Sequence, residues 1–334
     1  MKTALVTGGT GFLGRALLLR LQELGFAVSF IGRNELIGKE LTSAGCEFLK
    51  LDLTDRNAVI QACKDKEYVF HCAALSAPWG RRQNFFESNV VGTRNVVDAS
   101  VMHGACRRFV HVSTASVYFS FQGKINLPES DVLPEPVNDY IRSKRLAENI
   151  VLAASREGLP STIIRPRGIF GPRDKTIFPR FIKANARFGI PLINDHVVLD
   201  ITYIDNVVEA LINCLSAGNK SSGSIYNITN GEPRRLIDLL VELFDRLDIP
   251  LRFRRMNWKN AYILASVMEA VATASPVPFE PIFTRYTMGL LSFSQTLNID
   301  SARTELGYRP GISLHDGLER FVRHWRAASL PVPL

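Results

Sequence analysis

The feature that most constrains this chain lies at its start, where the apolar run Lys2 to Thr7 leads into Gly8-Gly9-Thr10-Gly11-Phe12-Leu13-Gly14 and then the helical stretch Arg15-Ala16-Leu17-Leu18-Leu19. Three glycines at this spacing do separate jobs. Gly8 permits a tight turn, Gly11 removes a side chain where backbone must approach an anion, and Gly14 lets the helix pack close to the strand. The helix N-terminal amides around Thr10, Phe12 and Leu13 then point at that anion. An ordinary glycine turn in an α/β protein accounts for one of these glycines, not for three. The loop predicts a dinucleotide pyrophosphate site and a parallel sheet to carry it.

The next stretches agree. Short β-branched runs at Ala27 to Ile31, Glu47 to Leu51, Tyr68 to Cys72, Arg108 to Ser113 and Ser161 to Arg165 alternate with helices beginning near Gly11, Asn34, Thr54, Asn84 and Asn138. That alternation predicts an α/β fold, a doubly wound parallel sheet of the Rossmann type. After Gly171-Pro172 it breaks into helices over Ile177 to Phe188, Asp205 to Ala217 and Arg234 to Leu247, with an isolated strand at Ser224 to Ile228. This predicts a dinucleotide domain over 1–172 and a smaller C-terminal substrate lobe over 173–330, with some interleaving of the two. Pro276-Val277-Pro278 marks a local break and Pro331-Val332-Pro333 a loose tail.

At the end of the second strand NAD would require an acid for its ribose 2′-hydroxyl, yet the sequence is Phe30-Ile31-Gly32-Arg33-Asn34. Gly32 leaves space for a 2′-phosphate and Arg33 can pair with it, which favours NADP, with NAD as second choice. Glu35 is a rival acid three residues late, and Arg33 could instead be an ordinary solvated arginine. At Leu51-Asp52-Leu53 the Asp52 carboxylate is placed to reach the adenine amino group, or to cap the next helix.

Further along, Val112-Ser113-Thr114-Ala115-Ser116-Val117-Tyr118 follows the fifth strand, and Tyr140-Ile141-Arg142-Ser143-Lys144 follows in a helical segment. The i, i+4 spacing puts the Tyr140 phenol and the Lys144 ammonium on one helix face. There the charge can lower the phenol pKa and the ammonium can hold a nicotinamide ribose, while the Thr114 hydroxyl binds the substrate oxygen. A surface aromatic beside a salt-bridging lysine would give the same YxxxK pair, so order and spacing carry the reading.

In that order and spacing the chain resembles the extended short-chain dehydrogenase/reductase family. The likeness covers essentially the whole chain and includes His71-Cys72-Ala73-Ala74, Ser88-Asn89-Val90-Val91-Gly92-Thr93, Arg165-Pro166-Arg167-Gly168-Ile169-Phe170-Gly171-Pro172 and Leu306-Gly307-Tyr308-Arg309-Pro310. The resemblance implies that Ala73 and Ala74 line the adenosine ribose and pyrophosphate. It implies that Asn89 supports the active-site hydrogen bonds, and that Pro166 and Ile169 abut the nicotinamide. A homodimer through a packed helix pair would suit the family. Thr114 replaces the commoner serine, and Phe119 stands where many members have glycine.

Two substrate classes compete within this resemblance. Nucleotide-sugar epimerases and dehydratases, with tightly held NAD, have an Asn where Gly168 stands and an Arg near Leu199, although Arg167, Arg173 or Arg180 could substitute. The 3β-hydroxysteroid dehydrogenase-like branch, including ketoreductases of long-chain 2-alkyl-3-keto acids, is matched by Trp79-Gly80, the Arg165 to Pro172 string and Phe279-Glu280-Pro281. This implies an NADP-dependent oxidoreductase acting on the CH–OH or keto group of a bulky apolar substrate, with Trp79 and Arg167 on the substrate side. A non-catalytic dinucleotide-sensing module is the third reading. Tyr262, Ile263, Leu264, Val267, Met268, Phe283, Tyr286, Met288 and Leu290 supply surface for a greasy pocket or a peripheral membrane contact, or simply a lobe core. His111, on a strand, is expected to be a satisfied interior residue.

Bulk properties narrow the partners. A formal charge of +8 over 334 residues favours anionic ligands, but the basic residues are dispersed and no aromatic-interleaved basic run suggests nucleic-acid binding. Five scattered cysteines lack metal-ligand or disulfide spacing, so no metal is expected and a reducing, cytoplasmic setting fits. The start leaves no room for a signal peptide, and the apolar stretch Ala261 to Ala274 is too short to span a bilayer.

Overall fold

A computed structural model describes residues 1–216, 222–277 and 279–328. Ala217, Pro278 and the Pro331-Val332-Pro333 tail lie outside the described residues. The elements run β1 Thr3–Thr7, α1 Phe12–Glu23, β2 Ala27–Gly32, α2 Glu35–Ser43, β3 Glu47–Lys50, α3 Arg56–Cys63, β4 Tyr68–His71 and α4 Arg82–Phe85. A π-helical turn at Phe86–Val91 joins α4 to α5 Gly92–His103. Then come β5 Arg108–Val112, β6 Lys124–Leu127, α6 Asp139–Arg156, β7 Ser161–Pro166, β8 Ile169–Phe170, α7 Phe178–Arg187, β9 Ile190–Leu192, β10 Val198–Leu199, β11 Thr202–Tyr203 and α8 Ile204–Ser216. The chain continues with β12 Ser224–Ile228, β13 Arg234–Arg235, α9 Leu236–Leu247, β14 Phe253–Arg255, α10 Trp258–Ala274, α11 Arg285–Leu290, β15 Gln295–Leu297, α12 Asp300–Glu305 and α13 Leu314–Ala327.

Seven strands form one sheet in the order β12-β7-β5-β4-β1-β2-β3, and every pairing in it is parallel. Ala4, Leu5 and Val6 are fully buried because helices cover both sheet faces, which is why this strand is a continuous apolar run rather than an alternating one. On α1 the buried positions Leu13, Leu17, Leu18 and Leu21 recur at helical spacing. Each such leucine contributes roughly 2 kcal/mol by burial. Helix α6 starts cleanly because the Asn138 side chain accepts from the Ile141 amide at 2.9 Å.

Ser224–Ile228 is not isolated. It is the outer strand β12, in register with β7 from Ser224↔Thr162 to Ile228↔Pro166. In the opposite sense, β6 leaves the first half to pair with β15, in a four-stranded sheet ordered β13-β10-β15-β6. One apolar cluster runs from Leu17 and Phe30 through Phe170 and Tyr203 to Phe321, so the sheet and the second lobe share a core. The strand order reverses between β1 and β4, which places a ligand crevice at the carboxyl ends of the central strands.

Candidate active site

The glycine loop crosses those carboxyl ends. Gly8 has φ +70°, and a Cβ there would lie 2.8 Å from the Ala73 Cα, so both the turn and the contact with the segment after β4 require glycine. At Gly14 a Cβ would come within 2.3 Å of the Gly8 carbonyl oxygen, which fixes how closely α1 packs. Gly11 is exposed and caps α1 with no side chain on its amides. The loop around Thr10, Phe12 and Leu13 therefore presents bare backbone, the arrangement that a pyrophosphate requires. Ala73, half-buried, donates its amide to Thr7 Oγ1 at 3.2 Å, and Ala74 beside it is exposed.

The adenosine end is more open. Arg33 is exposed and, among the described residues, pairs with the Asp52 carboxylate at 3.8 Å. Glu35 pairs with Lys50, both side chains being largely exposed. Gly32 has a local reason: a Cβ there would lie 2.5 Å from the Thr10 Cγ2, so the space it leaves is filled by Thr10. Asp52 Oδ1 accepts from the Thr54 amide at 2.9 Å and the Thr54 hydroxyl at 2.8 Å, bonds that hold its pKa down. The cap of α3 is Asp55. Leu53 is buried against this turn and packs on Gly92.

Thr114, Tyr140 and Lys144 converge beyond β5. Thr114 caps a short 3₁₀ turn, Ala115–Tyr118; its Oγ1 accepts from the Ser116 amide at 3.1 Å and its hydroxyl donates to Ser116 Oγ at 3.1 Å. Burial pushes the Tyr140 phenol above its ordinary pKa, and the side chains of Ser76 and Thr114 beside it pull it partly back. Lys144 is not among those causes. Its ammonium donates to the Val112 carbonyl at 2.7 Å and lies 3.4 Å from His111 Nε2, while burial lowers its pKa to about 8.

His111 departs from expectation. It is fully buried and stacks on His71 with ring centroids 5.2 Å apart, but its Nδ1 has no partner. Burial, then the nearby Lys144 charge, holds both imidazoles neutral, with His71 near 3. His71 is satisfied by Thr7 Oγ1 at 2.7 Å and Thr93 Oγ1 at 2.9 Å. Beneath the site Arg165 grips Glu148 through two bonds, at 2.9 and 2.7 Å, and Glu148 also accepts from Ser113. Deleting either charge would strand the other, a cost of roughly 3–5 kcal/mol.

Asn89 is buried within the π-helical turn. Its Nδ2 donates to Ser143 Oγ at 2.9 Å and to the Leu75 carbonyl at 3.1 Å, and its Oδ1 accepts from the Leu75 amide at 2.7 Å. It thus ties the segment after β4, which carries Ala73, Ala74, Ser76 and Trp79, to α6, which carries Tyr140 and Lys144. π-Turns of this kind are frequent at functional sites. Pro166 ends β7 and Ile169 begins β8, both near the same strand ends.

Two groups in the cleft escaped the sequence reading. Ser116 Oγ shares a 2.8 Å hydrogen bond with Tyr286 of α11, a residue that the apolar stretch Trp258 to Leu291 had suggested only as greasy surface. Phe119, in place of a glycine, stacks edge-on against Tyr286 at 5.1 Å, and a side chain at Gly289 would come within 2.6 Å of the Phe119 ring. Ser116 had a signal, its place two residues beyond Thr114. Tyr286 had none.

Comparisons with known proteins agree with this architecture. The profile of the NAD dependent epimerase/dehydratase family matches residues 4–229. The chain is 32% identical over 323 residues to a 2-alkyl-3-oxoalkanoate reductase of Stenotrophomonas maltophilia, covering 95% of this chain and 97% of that one. It is 30% identical over 338 residues to the decarboxylating sterol-4-alpha-carboxylate 3-dehydrogenase of Homo sapiens, covering 97% and 88%. In fold it is similar to UDP-glucuronic acid 4-epimerase from Bacillus cereus in complex with NAD, with TM-score 0.77, 23% identity and coverage of 98% and 99%. The bare glycine loop fits a nicotinamide dinucleotide, and the chain belongs to the NAD dependent epimerase/dehydratase family, within the 3β-hydroxysteroid dehydrogenase-like branch of the extended short-chain dehydrogenases/reductases.

Proposed function

We propose that this protein transfers hydride between NADP(H) and a secondary alcohol or ketone on a bulky, largely apolar substrate, of the 3β-hydroxysteroid or 3-keto acid kind. The observation that carries this reading is the Tyr140 phenol set between Thr114 and Ser76, one helical turn from a buried ammonium. The nicotinamide supplies or accepts the hydride when bound. Thr114 donates to the substrate oxygen, and Tyr140 delivers the proton as that oxygen becomes an alcohol, or removes it in the reverse direction. At neutral pH Lys144 keeps its charge; Val112 takes one of its three donors, so another is free for a ribose hydroxyl. Asn89 holds the two flanking segments in register. Replacing Tyr140 by Phe tests this: turnover within a few-fold of wild type would remove Tyr140 from the mechanism.

NADP rests on Arg33, which is exposed and weakly paired, and on the engagement of Glu35 by Lys50. Gly8, Gly11 and Gly14 with Thr10, Phe12 and Leu13 would cradle the pyrophosphate. Asp52 and Leu53 would meet the adenine, Ala73 and Ala74 the adenosine ribose, and Pro166 and Ile169 the nicotinamide. Trp79, half-buried in the segment that brings Ser76 to Tyr140, is suited to a substrate wall. The epimerase reading is disfavoured because Gly168 and Leu199 stand where an asparagine and an arginine would meet a sugar nucleotide.

A peripheral membrane contact follows from α10. Its inner face, Ala261 and Ala265, packs on Met288, whereas Ile263, Leu264, Val267 and Val271 face outward, with Val277, Phe279 and Ile282 exposed beyond them. Arg254 and Arg255 on β14 and Lys259 in the first turn of α10 are exposed, and basic residues suit an anionic bilayer surface. Co-sedimentation with anionic vesicles should be lost when Val267 and Val271 are both changed to Glu. No described helix is long and apolar enough to cross a membrane.

A further inference from the structure

Arg167 is the third residue of the strand-end string Arg165 to Pro172 and is 8% exposed. Its backbone is fixed on both sides: the amide donates to the Ile228 carbonyl at 3.1 Å and the carbonyl accepts from Thr202 Oγ1 at 2.6 Å. Its guanidinium, in contrast to that of Arg165, has no hydrogen-bond or ion-pair partner among the described residues. Burying a cation without an anion is costly, so such a group is expected to have a ligand. Its charge reaches Tyr286 and Asp200. Asp200 is committed elsewhere, accepting from the Leu297 amide at 2.8 Å, so it balances Arg167 from a distance. Tyr286 bonds Ser116, Ser116 bonds Thr114, and Thr114 adjoins Tyr140. A line of polar groups therefore runs from the proton donor to a buried, unpaired cation.

We propose that Arg167, with the hydroxyls of Tyr286 and Ser116, binds a carboxylate that the substrate carries close to its reacting carbon. The substrate is then an apolar hydroxy or keto acid. This rests on the hydride-transfer reading above. A nucleoside diphosphate brings more charge and requires several cations, and the neighbouring candidates do not supply them: Arg180 is paired to Glu280 at 3.0 Å and Arg173 is exposed. Past Tyr286 the surroundings are aromatic, with Phe119, Phe121, Trp258, Tyr262 and Phe293 packed ring on ring, most of them edge to face. That suits a hydrocarbon tail behind a single anionic head.

The test measures binding without turnover, by titrating the NADP⁺-loaded protein with a branched long-chain carboxylic acid lacking a keto group, and with its methyl ester. The wild type should bind the acid on the order of 10–100-fold more tightly than the ester, the range expected for hydrogen bonds to a charged group. In Arg167→Gln the ratio should fall to about one, and Arg167→Lys should restore part of it. Equal binding of acid and ester by the wild type would overturn the proposal. So would an Arg167→Gln variant that weakens both ligands equally, or UDP-sugar displacing the acid in an Arg167-dependent way. Should Arg167→Gln fail to fold, Tyr286→Phe decides: a several-fold drop in the acid-to-ester ratio supports the site and an unchanged ratio overturns it. Failure of the hydride-transfer reading would appear separately, as no redox turnover with any ketone.

Discussion

The two walls of the cleft are built in opposite ways. On the dinucleotide side, eight consecutive residues from Thr7 to Gly14 shape the surface with backbone, and glycines supply the shape by lacking side chains. On the side proposed for the substrate, Thr114, Ser116, Arg167 and Tyr286 come from distant segments, with Ser116 and Tyr286 separated by 170 positions. The first wall is a local solution to holding a phosphate. The second exists only once the chain is folded, so its chemistry can diverge between relatives while the first stays readable.

Changes on each wall should fail differently. The largest effect is expected from Tyr140→Phe, which should lower kcat by 10²–10⁴-fold while leaving cofactor affinity within a few-fold, measured by steady-state kinetics and by titration with NADPH. Gly14→Ala should show the converse. A Cβ 2.3 Å from the Gly8 carbonyl forces the loop to shift, and NADPH affinity should fall at least about 100-fold, roughly 3 kcal/mol, in the same titration.

Lys144→Met should separate stability from activity. Burial lowers the ammonium pKa from 10.5 to about 8, so below pH 8 both folded and unfolded chains carry the proton and the full burial penalty is present. Between about 8 and 10.5 the unfolded chain holds the extra proton, and wild-type stability rises with pH. The substitution should therefore stabilise the cofactor-free protein at pH 7 by up to about 3 kcal/mol, lose that advantage toward pH 10, and abolish turnover. Urea unfolding at the two pH values checks it. Arg33→Ala should have the smallest effect, lowering the ratio of kcat/KM for NADPH over NADH by about tenfold or somewhat more. An unchanged ratio would return Arg33 to the solvent and leave NAD as the cofactor.

The sequence disclosed most of the first wall and part of the second. The strand-glycine-helix start and the strands of the parallel sheet up to Ser161 follow from local apolar runs, and their ends fall within about a residue of the structure, whereas β6 at Lys124–Leu127 went unread. Ser224–Ile228 was visible as a strand, but nothing local says that it returns to β7 after the chain has built another lobe. Gly32 misleads for a related reason, since the Thr10 methyl that fills its space lies on a different element. His111 was expected to be satisfied; its unpartnered Nδ1 is a consequence of two stacked rings on adjacent strands. Tyr286 was hidden because an isolated aromatic in an apolar stretch carries no mark of the hydroxyl it will meet. The convergence of Thr114, Tyr140 and Lys144 was legible because one helix turn and one strand end fix it.

The central claim is net redox chemistry on a ketone or alcohol. It is tested most directly by following nicotinamide absorbance while the wild-type protein turns over a freshly prepared 2-alkyl-3-keto acid with added NADPH, with Tyr140→Phe run in parallel. The account predicts loss of NADPH absorbance equal to the alcohol formed, and at least a hundredfold less in the variant. Tightly retained NAD with no net absorbance change during turnover of a nucleotide sugar, or a variant as fast as wild type, would contradict it.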